Sequence, residues 1–293
     1  VFSSQFLEDN FRNFSGSESQ TSPIGIFDSG VGGLTVLREV YFQLPQESVI
    51  YFGDTAHLPY GMRSQREILQ FVRQILTWMQ QQKVKMAIMA CNTSSALALE
   101  TVRSEFPFPI LGIILPGAKA AVEKGRRIGV IATLPTAKSN AYRNAIVEID
   151  PEIQVWQVSC PELVPLIEEN RIYDPYTTEI TRSYIEPLLN NQIDTLVYGC
   201  THYPHLAPVL RTLLPDKVKL VDPAAHLVRA CGQELDLLKI KNTLTAQPTR
   251  FAVSGCPQQF AQSCLQLLGY TPNVEVVDLN NISVCDLRQD ITS

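Results

Sequence analysis

Two cysteines end apolar runs and are followed at once by small polar residues: Cys91 in MAIMACNTSS and Cys200 in TLVYGCTHYPH. A thiol at a strand end, just ahead of a helix, feels the positive end of the helix dipole, which favours thiolate. Asn92 and Thr93 can donate to an anion held beside Cys91. His202 can bias the proton state of a nearby thiol or act as an acid. Taken singly, Cys91 also fits a buried cysteine before an ordinary helix cap, and His202 a satisfied structural histidine. Cys200, His202 and His205 are metal-ligand types, but their spacing matches no recurrent zinc pattern, so no metal is expected.

Two further stretches are suited to anions. In FDSGVGGLTV a strand ends at Asp28-Ser29, and Gly30, Gly32 and Gly33 open a helix. Backbone N–H groups there and the helix N-terminus welcome a carboxylate, while Asp28 suits an ammonium group. The pattern is neither the dinucleotide fingerprint nor a P-loop. It also fits a tight turn with Asp28 capping the helix. GDTAHLPYG is a loop by composition, its shape fixed by Pro59 and Gly61; its exposed N–H groups can grip a second carboxylate, and it also fits a plain connecting loop.

An anion site, an ammonium site and two thiols suit removal and return of the α-proton of an amino acid. That proton is a poor acid, so its base must be close, aligned and desolvated. Inverting the centre needs a base on one face and an acid on the other, and two opposed thiols supply both. No pyridoxal-lysine arrangement is evident, so the thiols are expected to work without a cofactor.

The elements that position these residues are legible. IGIF, SVIYFG, MAIMAC and PILGII predict buried strands, with amphipathic helices between them. Strand alternating with helix implies parallel sheets covered on both faces. The pattern then repeats. RIGVIAT echoes PIGIFDS, VWQVSC echoes VIYFGD, TLVYGCT echoes IMACNT, and VKLVDPAAHLV echoes ILGIILPGAKAAV, in the same order and offset by roughly 104 to 109 residues. Four echoes in register imply an internal duplication: an α/β fold of two similar parallel-sheet domains related by a pseudo-twofold axis. Ligands bind at the carboxyl ends of such strands, so Cys91 and Cys200 are expected to share the cleft between the domains. Residues 23–115 plus 225–293 are assigned to the first domain, 116–224 to the second, and 1–22 to a flexible extension. RFAVSG to VEVVDL predicts two more strands around a helix, folding back onto the first domain.

Bulk properties narrow the class. The chain has 293 residues, 45% of them apolar, and a net charge of −5, so no basic face is offered to nucleic acid or anionic lipid. No run reaches the length of a membrane span, and no signal peptide is seen. Seven cysteines in such a chain are expected as reduced cytosolic thiols rather than a disulfide framework.

The blocks FDSGVGGLTV, PYG, ACNT, ATLPTAKS, CPELVPLIE and GCTHYP, which run from about Ile24 to about Val228, together resemble the glutamate racemases of the wider Asp/Glu racemase superfamily. The resemblance implies Cys91 and Cys200 as the catalytic pair, assisted by Asp28 and His202. It implies substrate contacts from Asp28, Ser29, Tyr60, Gly61, Asn92, Thr93, Thr201 and His202, with Thr133 and Thr136 as candidates for the α-carboxylate and Glu168 in support. It further implies a cofactor-independent, cytoplasmic enzyme, commonly a homodimer, that supplies D-glutamate for peptidoglycan. His57 stands where members often carry Arg or a small residue. Three other classes compete: a racemase of aspartate or another amino acid, a two-domain binding protein without catalysis, and a cysteine hydrolase. The last two leave a second, symmetric thiol unexplained.

Overall fold

The computed structural model describes residues 20–282. The extension expected over 1–22 therefore lies outside the described residues apart from its last three. Among the described residues, ten parallel strands form two sheets. The first holds β1 (Ile24–Asp28), β2 (Val49–Gly53), β3 (Met86–Met89), β4 (Ile110–Gly112), β9 (Arg250–Val253) and β10 (Val274–Val276), in the order β10-β9-β2-β1-β3-β4. The second holds β5 (Arg127–Ala132), β6 (Gln154–Ser159), β7 (Thr195–Gly199) and β8 (Lys219–Val221), in the order β6-β5-β7-β8. Strands β1, β2, β3 and β7 are buried along their whole length. That is why they read as unbroken apolar runs rather than alternating ones.

The order β2-β1-β3-β4 in one sheet recurs as β6-β5-β7-β8 in the other. The repeat predicted from the four echoes is therefore present in the topology, and the chain has two α/β domains. The C-terminal strands and the helix between them, Pro257–Leu268, return to the first sheet, where β9 pairs with β2. In each sheet the first strand lies between the second and the third, so the chain reverses direction of travel there. Such a switch point leaves a crevice at the carboxyl ends of the two central strands. Asp28 ends β1 and Cys91 follows β3. Thr133 follows β5 and Cys200 follows β7. The fold thus places the chemistry-bearing residues at two equivalent crevices.

Away from the cleft one apolar cluster joins the domains. It runs from Ile24 and Val40 through Ala118 and Leu227 to Ile128 and Val130. Helices Ile114–Lys124 and Pro223–Leu237, which carry the chain from β4 to β5 and from β8 to β9, contribute to it. Beside it Lys85 and Glu47 form an ion pair with both side chains buried. The Lys85 ammonium also donates to the carbonyls of Gln20 and Ile240. Glu47 accepts from the Asn242 N–H. Four separate segments, at Gln20, Glu47, Lys85 and Ile240 with Asn242, are tied at this point. Lys85→Met strands a buried carboxylate and is expected to destabilise the protein by about 3–5 kcal/mol, read as a lower urea midpoint at unchanged slope. No described helix is long and apolar enough to cross a membrane.

Candidate active site

A cavity of about 590 Å³ opens between the domains. Ser29, Tyr60, Gly61, Cys91, Asn92 and Thr93 line it from the first domain, and Thr133, Cys200, Thr201 and His202 from the second. Ten of the twelve residues expected as catalytic or substrate-binding are thus in its wall. Asp28 and Thr136 are not, and both are fully buried behind it.

Asp28 explains the glycine-rich turn. Its Oδ1 accepts the Gly30 N–H at 2.9 Å, and Oδ2 accepts the Thr201 hydroxyl at 3.2 Å from the other domain. The anion expected at this turn is therefore the protein's own carboxylate rather than a guest. Gly32 is required by the domain contact, because a Cβ there would collide with Thr201 Oγ1 and His202 Nδ1. Burial raises the Asp28 pKa above the usual aspartate value, against the pull of His202 and the backbone donors.

Cys91 caps the helix Asn92–Val102 with extended backbone, φ −66° and ψ 124°. Its Sγ lies 3.8 Å from Ser29 Oγ. The expectation of an acidic thiol is corrected here. Burial pushes the Cys91 pKa up to about 12, the charge of Asp28 adds to the rise, and the Ser94 N–H of the helix terminus offsets only part of it. Desolvation outweighs the helix end because the sulfur has almost no contact with water.

Cys200 has a different neighbourhood. Its Sγ is 3.7 Å from His202 Nδ1, and His202 Nε2 is 3.0 Å from Glu168 Oε1. Burial alone lowers the imidazole pKa. The hydrogen bonds to Cys200 and Glu168, with the charges of Cys200 and Asp28, outweigh it and leave His202 well above its ordinary value.

Hydroxyl and amide groups cover the remaining wall. Thr93 Oγ1 is 2.9 Å from Thr133 Oγ1 and 3.3 Å from Thr136 Oγ1, so Thr136 supports the wall from behind. Asn92 Oδ1 accepts the Tyr142 hydroxyl at 2.7 Å, while Asn92 Nδ2 is buried with no partner among the described residues. A buried donor left free costs stability unless something is bound there. The Tyr60 hydroxyl is turned away to Asp54, which Ser254 and His57 also hold. His57 stacks on Phe71 at 3.9 Å and is absent from the cavity wall. Arg63 and Lys138 are wall residues that sequence reasoning missed. The quoted blocks contained Lys138 in ATLPTAKS, but not Arg63, two residues beyond PYG. Among the described wall residues none is acidic. Among the described residues no group of three or more His, Cys, Asp and Glu side chains could hold a metal ion.

A family model described as Asp/Glu/Hydantoin racemase matches residues 35–231. A glutamate racemase of Nostoc sp. is 69% identical over 99% of this chain and 100% of its own length. That of Synechocystis sp. is 64% identical over 91% of this chain and 95% of its own. Among solved structures, a glutamate racemase of Bacillus anthracis superposes with a TM-score of 0.86 at 35% identity, over 89% of this chain and 98% of that one. A Francisella tularensis glutamate racemase in complex with D-glutamate gives 0.84 at 33% identity, over 89% and 99%. With matches of this extent and a cleft built where two parallel sheets meet, the chain belongs to the Asp/Glu/Hydantoin racemase family.

Proposed function

We propose that this protein interconverts L- and D-glutamate by proton transfer at Cα between two thiols. The observation that carries the proposal is that Cys91 and Cys200, at equivalent strand ends of two repeated domains, line one cavity. A thiolate on one side of the substrate removes the α-proton, leaving a planar carbanion. The thiol on the other side delivers a proton to the opposite face. The residual proton states then suit the reverse reaction. Burial strengthens this chemistry, since a base stripped of water needs no solvent reorganisation before it reacts.

Asn92 Nδ2 and the Thr93 and Thr133 hydroxyls are donors suited to the α-carboxylate. The backbone at Tyr60 and Gly61, with Arg63 at the wall, suits the distal carboxylate. Asp28 lies behind the wall, so it acts on the substrate ammonium through its field and through Thr201. The cationic, acid-free lining favours an amino acid with two carboxylates. The near full-length identity to glutamate racemases supports glutamate over aspartate, a role in the cytoplasm supplying D-glutamate to peptidoglycan, and a homodimer.

The test is direct. Purified protein given L-glutamate and no additions is expected to bring optical rotation to zero, and to act far more slowly on L-aspartate. In D2O the D-glutamate formed is expected to carry deuterium at Cα. Product that keeps the substrate's own hydrogen on every turnover would replace the two-thiol mechanism with intramolecular transfer.

A further inference from the structure

Asn92 is the wall residue whose usefulness depends on which way its amide is turned. It is buried, lines the cleft and opens the helix Asn92–Val102. With its carbonyl toward a substrate carboxylate it would repel it, and with its N–H2 group toward it, it would bind it. The group that decides between the two comes from the other domain. Tyr142 lies on the helix Ala141–Ile149, between β5 and β6, and its hydroxyl is 2.7 Å from Asn92 Oδ1. The side chain is wholly buried in the apolar cluster that joins the domains. Its ring is hemmed in by the helix Ile114–Lys124, where a Cβ on Gly117 would stand 3.2 Å from Tyr142 Cε1.

We propose that Tyr142 is a positioning residue for the racemisation: it fixes the Asn92 amide with Nδ2 toward the α-carboxylate, and so ties that contact to the seating of one domain on the other. The proposal rests on the assignment of Asn92 Nδ2 to the α-carboxylate made above. A phenol carries one O–H, which needs an acceptor when buried. Among the described residues Asn92 is the only hydrogen-bond partner of this hydroxyl. With Oδ1 toward the ring, the O–H is satisfied and Nδ2 is left for the ligand, as its lack of any other partner among the described residues requires. The reverse orientation would give the phenol oxygen a donor it does not need, strand its O–H in an apolar core and turn Oδ1 onto the carboxylate. Both ends of the contact favour the same orientation. Burial holds the Tyr142 pKa well above its ordinary value, so the donor keeps its proton. The contact matters most as the α-proton leaves. The electron pair of the Cα–H bond then spreads into the carboxylate, and a donor already aimed there stabilises the added charge without reorganising.

Tyr142→Phe removes the hydroxyl and keeps the ring. It is expected to lower kcat/KM about tenfold for both enantiomers, the effect of losing one hydrogen bond to a charged group. More of the loss is expected in kcat than in KM, because the carboxylate gains charge in the transition state. Asn92→Ala completes a double-mutant cycle. If Tyr142 acts through Asn92, Tyr142→Phe lowers kcat/KM no further when added to Asn92→Ala, whereas a purely structural tyrosine would lower it equally in either background. A second readout needs no turnover. In protein with isotope-labelled asparagine, the side-chain N–H2 signals that vanish in Asn92→Ala belong to Asn92. They are expected to shift when D-glutamate is added to the wild type, and to respond far less in Tyr142→Phe. Additive losses in the cycle, or unaltered kcat/KM and amide response in Tyr142→Phe, would overturn the positioning role and leave the two-thiol mechanism standing. Wild-type protein that fails to racemise glutamate would overturn the function proposed above, and the amide response would still decide the orientation of Asn92.

Discussion

Cys91→Ser and Cys200→Ser are each expected to lose racemisation by about a thousandfold or more, the upper part of the range for a positioned acid or base. Serine is nearly isosteric, and both cysteines are almost wholly buried in the cleft wall, at 5% and 7% exposure, so the fold is expected to survive. A serine hydroxyl is a far weaker acid than a thiol. It therefore neither ionises to take the α-proton nor delivers one readily to the carbanion. Each variant breaks the reaction in both directions, because every turnover uses one sulfur as base and the other as acid. Chiral chromatography of L- and D-glutamate against time measures the loss. Near wild-type racemisation in either variant would remove that sulfur from the mechanism.

The second large effect is expected at Asp28. Its negative charge raises the pKa of both the Cys91 thiol and the His202 imidazole, so it holds a proton on each side of the cleft. Asp28→Asn removes the charge with little change of shape. Both groups then release their protons more easily, and the limbs of the kcat/KM profile that they control are expected to move to lower pH. One acceptor oxygen also becomes an N–H2 group facing the Gly30 N–H or the Thr201 hydroxyl. Loss of the charge and of that domain contact is expected to lower kcat/KM by about a hundredfold at neutral pH. An unmoved profile would show that Asp28 matters for packing alone.

Much of this was legible in the sequence, for physical reasons. IGIF and MAIM are buried on both faces, so they could only be unbroken apolar runs. The duplication was legible because both halves solve the same packing problem with the same order of elements. The wall residues beside Asp28, Cys91 and Cys200 followed from their places at strand ends, while Tyr60, Gly61 and Thr133 came from the resemblance. What escaped notice depends on distant parts of the chain. The helix after Cys91 begins at Asn92 because Cys91 itself takes the capping conformation. The direction of the Cys91 shift turns on how completely the fold excludes water from one sulfur. Gly32 is dictated by Thr201 and His202, about 170 residues further on. Asp54 anchors Tyr60 only because Ser254 arrives from the end of the chain.

The repeated strand order gives two halves that look alike, yet Cys91 lies beside the Ser29 hydroxyl and Cys200 beside an imidazole. Mirror-image substrates have equal free energies, so the equilibrium constant between them is unity. Equal kcat/KM for the two enantiomers is then a thermodynamic requirement, whatever the halves do. The dissimilar surroundings of the two sulfurs can therefore surface only as unequal turnover numbers matched by proportionally unequal Michaelis constants. The enzyme is free to hold one hand of its substrate more tightly and release it more slowly, and no tuning of either half can turn that preference into an excess of product at rest.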